Sequence, residues 1–380
     1  MNKKKAKLIS DLAREYRDKD ITPNCQHFGE CGGCMFQDIQ YEDQLILKKR
    51  YLNIILEGVC AVEEVLPSIP YEYRNRMDLV TAFRRVGLRR RGDYREVVDI
   101  DSCKIMQPGS SEIFSKVKPF LCDVEDYDYL KHSGYLRYIV LREGGFSGQV
   151  MVNFVVSERE NRLAHPIENI IDEVDSISII LNDGRADLSF GEILEDIKGG
   201  YIEDFFGDIK FRITPNSFFQ SNSRVALEIY KLIREDVIGK TLDLYSGVGS
   251  ISLYVAEGVG DITGVELSSE AIRVANINRI NNNIDNVRFV CDDALKFLRN
   301  VNERYDTIIL DPPRSGINPR MVKYLNMLSP DKIIYLSCNP DSFKNDFQAL
   351  GSYSIEKFYA FDMFPQTPHI ETLGILKRMG

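Results

Sequence analysis

Five short apolar stretches recur in the C-terminal part of the chain, separated by helix-length segments: TLDLY, DITGVE, VRFVC, YDTIILD and KIIYLSC. This βαβα rhythm predicts a parallel sheet covered by helices, and it constrains the fold more than any other feature. Two later stretches, SIEKFYAFDMF and TLGILKR, are expected to close the sheet. Between residues 61 and 206 the pattern changes to short alternating runs punctuated by Gly, Asp and Asn: MDLVTAF, VGLRRR, REVVDI, LRYIVLRE, GQVMVNFVV and SISIILN. These predict a mostly antiparallel β or α+β module. Residues 1–60 hold a charged start, a cysteine group and one run with helical spacing, QDIQYEDQLILKKRYLNIILEG, ending on Gly58. The expected organisation is an α/β domain over 207–380, a β-rich domain over 61–206 and an N-terminal segment over 1–60. No Pro/Gly-rich linker marks the second boundary.

Charge and leader arguments narrow the function classes. Lys plus Arg number 48 and Asp plus Glu 57, for a net charge of −9. That balance argues against coating nucleic acid by charge alone, though not against local basic patches. No run of about 18 uncharged apolar residues exists, so no membrane span is expected. The start, MNKKKAKLISDLAREYRDK, lacks an apolar signal core, and a cytoplasmic location is expected. In a reducing compartment the eight cysteines point to metal or catalysis rather than to disulfides.

Asp243–Ser250 reads DLYSGVGS directly after a strand. Such a turn, with Gly247 inside it, brings backbone close to a ligand and offers unpaired N–H groups. Glu266 ends the next strand, 23 residues after Asp243, where carboxylates in such folds bind ribose hydroxyls. The spacing is not the dinucleotide GxGxxG. With CDDA at Cys291–Ala294, the set looks like a class I S-adenosylmethionine site. Two further motifs fall at the carboxyl edge of the predicted sheet, where open α/β sheets place ligands. DPPR (Asp311–Arg314) is an acid followed by a rigid extended loop. SCNP (Ser337–Pro340) puts Cys338 at the same edge. That thiol is a nucleophile if its pKa is lowered, and otherwise a buried small hydrophobe. Glu371, in PHIETL, begins the last strand; it is either a functional carboxylate or a solvated strand edge.

A Cys, a carboxylate and a methyl donor on one edge suit a particular reaction. Carbon 5 of uracil is a poor nucleophile until a thiolate adds to carbon 6. The methyl group then transfers, a base removes the carbon-5 proton, and elimination frees the thiol. Cys338 and Glu371 fit these roles, whereas methylation of an exocyclic amine needs neither. The target base must also leave its stack.

The motifs SFFQSN (Ser217–Asn222), DLYSGVGS, GVE, DPPR, SCNP and HIETL occur in this order. In that set the chain resembles the 5-methyluridine RNA methyltransferase family. The resemblance implies a class I Rossmann-like methyltransferase domain over 207–380 and an RNA-binding role for 61–206. It further implies that Gln220, Tyr245, Gly247, Glu266 and Asp311 contact S-adenosylmethionine and that Asp293 lies near the adenine. Cys338 is then the nucleophile and Glu371 the base.

Cys25, Cys31 and Cys34 are spaced C-x5-C-x2-C, with Cys103 following later. Four cysteines can hold zinc or an iron–sulfur cluster, and spacing does not separate the two. The C-x5-C-GG-C run resembles the [4Fe–4S] ligand set of one branch of the family, which implies a structural or RNA-shaping cluster. Cys60, Cys122 and Cys291 are expected to be buried small hydrophobes. From Tyr73 to Arg95 the chain carries eight arginines and two acids. This is a solvated strand face or an RNA-contact patch, since arginine binds phosphate and stacks on bases. YRNR resembles a family element near the flipped uridine, which implicates Arg74 or Arg76. LRYIVLRE adds Arg137 and Arg142 as candidates. A cysteine group without room for an N-terminal barrel before it looks most like the branch that methylates 23S rRNA. The T-loop uridine of tRNA is the alternative substrate, and a monomer is the default expectation.

Overall fold

The computed structural model describes residues 3–379. The C-terminal sheet has strands β1 (Thr241–Leu244), β2 (Ile262–Glu266), β3 (Val287–Cys291), β4 (Thr307–Leu310), β5 (Lys332–Ser337), β6 (Tyr353–Phe361) and β7 (Glu371–Arg378). Their spatial order is β3-β2-β1-β4-β5-β7-β6. The first five are parallel, and β7 inserts antiparallel between β5 and β6. Both expected closing strands form, with the last in sequence placed inside.

The near-continuous apolar strands follow from burial on both faces. Ile308, Leu310, Ile333 and Tyr335 point to one core. Their alternating neighbours Ile309, Ile334 and Leu336 point to the other. The first core is completed from the N-terminal segment. Helices Lys3–Tyr16 and Tyr41–Ile55 contribute Ile9, Leu12, Leu47 and Leu52 to it. Residues 1–60 are thus structurally a cover for the C-terminal sheet as well as a cysteine segment.

The central sheet also has seven strands, in the order Asp93–Asp99, Arg85–Arg90, Arg76–Ala82, Leu136–Glu143, Val150–Val156, Ser176–Leu181 and Glu192–Lys198. Every neighbouring pair is antiparallel except Val150–Val156 with Ser176–Leu181. Helix Pro108–Leu121 packs on it through Ile113, Phe114 and Val117. The expected boundary at 206/207 falls inside a hairpin, Ile202–Phe206 with Ile209–Ile213. Both hairpin strands pack into the C-terminal core with Ile229 and Tyr230. The change of domain lies instead near Gly199 and Gly200, both in the left-handed region. Among the described residues no helix is long and apolar enough to cross a membrane.

Candidate active site

Strand register brings Cys338 and Glu371 together. Ser337 of β5 is paired with Thr372 of β7, and Thr372 Oγ1 donates to Ser337 O at 3.1 Å. Cys338 and Glu371 are therefore the next opposed positions, one step beyond the last pair. Asp311 follows β4 at the same edge, one strand over. Gln220 Nε2 stands 3.5 Å from Asp311 Oδ2. Gln220, Tyr245, Gly247, Glu266, Asp311, Cys338 and Glu371 all line one cleft of about 1240 Å³.

The Gly-rich turn is built for close backbone approach. Tyr245 has φ of +70°, a conformation that a non-glycine residue holds only where its surroundings impose it. Its N–H and that of Ser246 both donate to Val265 O, at 2.9 and 3.1 Å. A Cβ on Gly249 would stand 2.5 Å from the Phe289 ring, so this glycine serves packing under the turn. Glu266 accepts from the Gly247 N–H at 3.2 Å and the Ser268 N–H at 2.9 Å. These bonds fix its carboxylate against the turn. In SCNP, Asn339 does not cap its helix through its side chain. Its Nδ2 donates to Arg314 O at 2.9 Å and to Ser342 Oγ at 2.7 Å, tying SCNP to the DPPR loop.

Three carboxyls share this edge, Glu371 and Asp243 buried and Asp311 half-buried at the cleft. Burial, with Asp311 adding to it, pushes Glu371 well above the carboxylate range. Burial, then Asp243, raises Asp311 to about 7. Asp243 itself is raised to about 7 by burial and is hydrogen-bonded to Ser252 Oγ. Cys338 is raised to about 11 by burial, then by Glu371 and Asp311, with Arg314 pulling the other way. The lowered thiol pKa that a standing thiolate requires is thus not met in the ligand-free protein. His369, also in the cleft, is lowered to about 4 by burial and then by Arg314, Lys48 and Arg74.

Other expected residues divide. Arg74, Arg89, Arg90 and Arg91 line the same cleft. Arg76 does not; it is half-buried, with Nε on Asp78 at 2.9 Å and Nη2 on Ser189 at 3.3 Å. Arg142 is corrected to a structural residue: it is 3% exposed and donates to Thr214 O (3.2 Å) and Ser217 O (2.6 Å). Those bonds tie the central sheet to the SFFQSN loop. Arg137 is likewise buried, capping the carbonyls of Asn182, Gly184 and Ala186. Asp293 lies outside the cleft lining and caps helix Ala294–Asn300 through the Lys296 N–H at 2.9 Å.

Sequence reasoning did not single out Phe218, Phe190 or Arg314, all of which line the cleft. The only available signal was the exposure of large apolar groups, 67% for Phe218 and 51% for Phe190, and exposure is not readable from a sequence.

Cys25, Cys31, Cys34 and Cys103 line one small cavity of about 20 Å³. Burial above all, with neighbouring thiols adding to it, raises Cys31, Cys34 and Cys103, Cys34 to about 12. Among the described residues, no group of three or more His, Cys, Asp or Glu side chains is arranged to hold a metal ion. The two glycines of CGGC have a packing reason. The Gly32 N–H donates to Arg89 O at 2.9 Å, and a Cβ on Gly32 would stand 2.8 Å from that oxygen. Cys122 and Cys291 are exposed rather than buried.

Comparison with known proteins agrees with this geometry. A sequence model of the tRNA (uracil-5-)-methyltransferase family matches residues 202–379. The chain is 38% identical over 377 residues to the tRNA (uracil(54)-C(5))-methyltransferase of Pyrococcus furiosus, covering 97% of this chain and 89% of that protein. It is 35% identical over 389 residues to an uncharacterized RNA methyltransferase of Caldanaerobacter subterraneus, covering 94% of this chain and 85% of that protein. The crystal structure of Pyrococcus abyssi tRNA (uracil-54, C5)-methyltransferase in complex with S-adenosyl-L-homocysteine superposes with a TM-score of 0.81 at 37% identity. It covers 91% of this chain and 86% of that one. The chain belongs to the tRNA (uracil-5-)-methyltransferase family and is an S-adenosylmethionine-dependent RNA uracil-5-methyltransferase.

Proposed function

We propose that the protein methylates carbon 5 of a uridine in tRNA, at the position corresponding to uridine 54 of its archaeal relatives' substrate. The observation that carries the mechanism is the opposed placement of Cys338 and Glu371 at the end of β5 and the start of β7, on the cleft that Asp311 and Glu266 share. The substrate class is supported by the relatives of assigned specificity, which act on tRNA. The expected preference for 23S rRNA is set aside: it rested on segment lengths, and the relatives give it no support.

S-adenosylmethionine supplies an electrophilic methyl group when bound. In this reading Glu266 holds the ribose, the Gly247 turn approaches the cofactor, and Asp311, Tyr245 and Gln220 surround its methionine end and base. As the Cys338 sulfur bonds to carbon 6, its proton passes to water in the open cleft, and the C5–C6 π pair moves onto the uracil carbonyl oxygen as an enolate. A thiol that rests protonated confines nucleophilicity to the substrate-bound state. Carbon 5 takes the methyl group. Glu371, raised by burial in the ligand-free protein, enters the next step as the carboxylate and removes the carbon-5 proton; carbon 5 and carbon 6 regain their double bond, and the sulfur leaves. Arg74 and Arg89–Arg91 meet the RNA backbone at the cleft wall.

The four cysteines line one cavity together with His27 and Lys104, and although no metal-holding arrangement is formed among the described residues, four thiols are the donor set a [4Fe–4S] cluster takes. Cys25, Cys31, Cys34 and Cys103 would hold it, and it would serve structurally, beside the Arg85–Arg90 strand whose Arg89 carbonyl Gly32 packs against.

The test is tritium release from transcripts carrying tritium at uridine carbon 5, with and without S-adenosylmethionine. Cofactor-dependent release from tRNA and not from 23S rRNA is the expected result. Release from 23S rRNA alone overturns the substrate assignment, and methyl incorporation without release overturns the Cys338 chemistry.

A further inference from the structure

Residues 362–370 carry Phe364, Thr367, His369 and Ile370 into the cleft and run directly into Glu371. The segment has no helix or strand of its own. Its shape is therefore set by what grips it, and the grip comes from far away in sequence. Gln366 has φ of +67° and is 2% exposed. A glutamine persists in that conformation only where its surroundings over-determine it. Its carbonyl accepts from the N–H groups of Met35 (2.7 Å) and Phe36 (3.1 Å), the two residues after Cys34. Its own N–H donates to Gln44 Oε1 at 3.1 Å, and its Oε1 accepts from Gln44 Nε2 at 3.0 Å.

Gln44 is fully buried, and its Nε2 also faces Phe36 O and Ile39 O at 3.0 Å each. One helical turn on, the buried Lys48 pairs with Asp362 and donates to Phe364 O at 3.2 Å. Tyr73 Oη donates to Pro365 O at 3.0 Å, and Asn222 Nδ2 to Met363 O at 3.1 Å. The cysteine segment, the central domain and the SFFQSN motif thus all hold one irregular stretch next to Glu371.

We propose that Gln44 and Gln366 are a positioning pair for Glu371, setting where its carboxylate stands relative to carbon 5 of the target uridine. This rests on the reading of Glu371 as the base. The step concerned breaks the C5–H bond. The proton passes to Glu371, the electron pair forms the C5–C6 double bond, and the C6–S bond breaks to return the sulfur to Cys338. Addition and methyl transfer precede this step and do not use the Glu371 carboxylate as a proton acceptor. Loosening the pair therefore slows release of a methylated adduct rather than its formation.

The experiment compares the full-length wild type with Gln44→Ala, Gln366→Gly and Glu371→Gln. The substrate is a tRNA transcript tritiated at uridine carbon 5, with 14C-methyl-labelled S-adenosylmethionine. In Gln44→Ala and Gln366→Gly, kcat for tritium release is expected to fall roughly 10- to 100-fold, the range a small misplacement of a reacting group produces. KM for tRNA and cofactor affinity should stay at wild-type values, and 14C should accumulate in a denaturant-stable protein–RNA adduct. Gln366→Gly relieves the left-handed φ, so it tests the pair even if Gln44→Ala fails to fold. Wild-type release by folded variants overturns the proposal, as does a parallel fall in adduct formation and release. Absence of a trapped adduct in Glu371→Gln locates the failure in the reading of Glu371 itself.

Discussion

Two edges face the same cleft and hold their functional groups by opposite means. At the carboxyl edge of the C-terminal sheet, backbone register places the reacting groups. Cys338 and Glu371 stand one step beyond the Ser337–Thr372 pair, and Glu371 is 4% exposed. At the arginine edge of the central sheet, long side chains are held by ion pairs: Arg89 with Asp187 at 2.9 Å and Arg90 with Glu96 at 2.6 Å. Exposed pairs of this kind contribute about 0–1 kcal/mol, so exchanging a carboxylate for a phosphate costs little. The difference teaches a division of labour. In the proposed reading, backbone register places the groups that react, while the half-buried arginines offered to a polyanion are held by ion pairs that a phosphate can replace.

The largest effect that can break this contrast is at Cys338. Cys338→Ala is expected to abolish both tritium release and the denaturant-stable adduct while calorimetry still detects cofactor binding; residual turnover would remove the nucleophile from the mechanism. Glu371→Gln should lower release by roughly 10²- to 10⁴-fold, the usual share of a positioned base, with the methylated adduct retained on denaturing gels.

Arg142 sharpens the other side. Arg142→Met removes the guanidinium donor from the Thr214 and Ser217 carbonyls; Thr214 O keeps the Ser217 N–H, and Ser217 O loses its donor. Stability should fall by about 2–3 kcal/mol in denaturant titrations, with no change in the salt dependence of RNA binding. A changed salt slope with intact stability would return Arg142 to the RNA interface.

The pH dependence follows from the carboxyls of the cleft. Asp311 has its pKa raised to about 7 in the ligand-free protein. Its protonated form contributes stability at low pH, and that contribution is lost as pH rises through about 7. A cationic cofactor prefers the carboxylate. Its affinity should therefore be flat above about 7 and fall by up to about tenfold per pH unit below it. The cofactor-induced rise in Tm should be larger at pH 8 than at pH 6. Asp311→Asn should flatten both dependences.

The smallest effect belongs to a single half-buried arginine on the cleft wall. Arg90→Ala should weaken tRNA binding a few-fold and reduce the salt slope by about 1, measured by filter binding across ionic strengths. An unchanged slope would place the backbone contacts on Arg74, Arg89 and Arg91.

Much of the catalytic half was legible because its motifs are local. DLYSGVGS, GVE, DPPR and SCNP each sit at a strand end, and short apolar strands reveal those ends in a parallel sheet. The six central stretches all form strands, but Leu136–Glu143, Val150–Val156 and Ser176–Leu181 are buried on both faces, so their β-branched and aromatic content marks them rather than a one-sided burial pattern. Helices Lys3–Tyr16 and Pro108–Leu121 were not anticipated, and two β elements also escaped. Strand Glu192–Lys198 has no fully buried residue, with three exposed and four half-buried, so its pattern carries little burial signal. The hairpin after it belongs to the C-terminal core through Phe206 and Phe211, which nothing local distinguishes from central-domain packing. Arg142 misled because a strand arginine carries the same letters whether it faces RNA or caps buried carbonyls.

The sequence by itself determined the parallel sheet, the cofactor turn and the reacting pair of residue types, because each depends on short-range pattern and on chemistry carried by few residues. Tertiary structure alone decided that β7 lies inside β6, which sets Glu371 opposite Cys338. It decided that the N-terminal helices cover the catalytic sheet, and that Gln44 meets Gln366 across 322 residues. It also decided which arginines are free to meet a polyanion. These outcomes depend on which surfaces exclude water together, and that is a property of the packed chain rather than of any window along it.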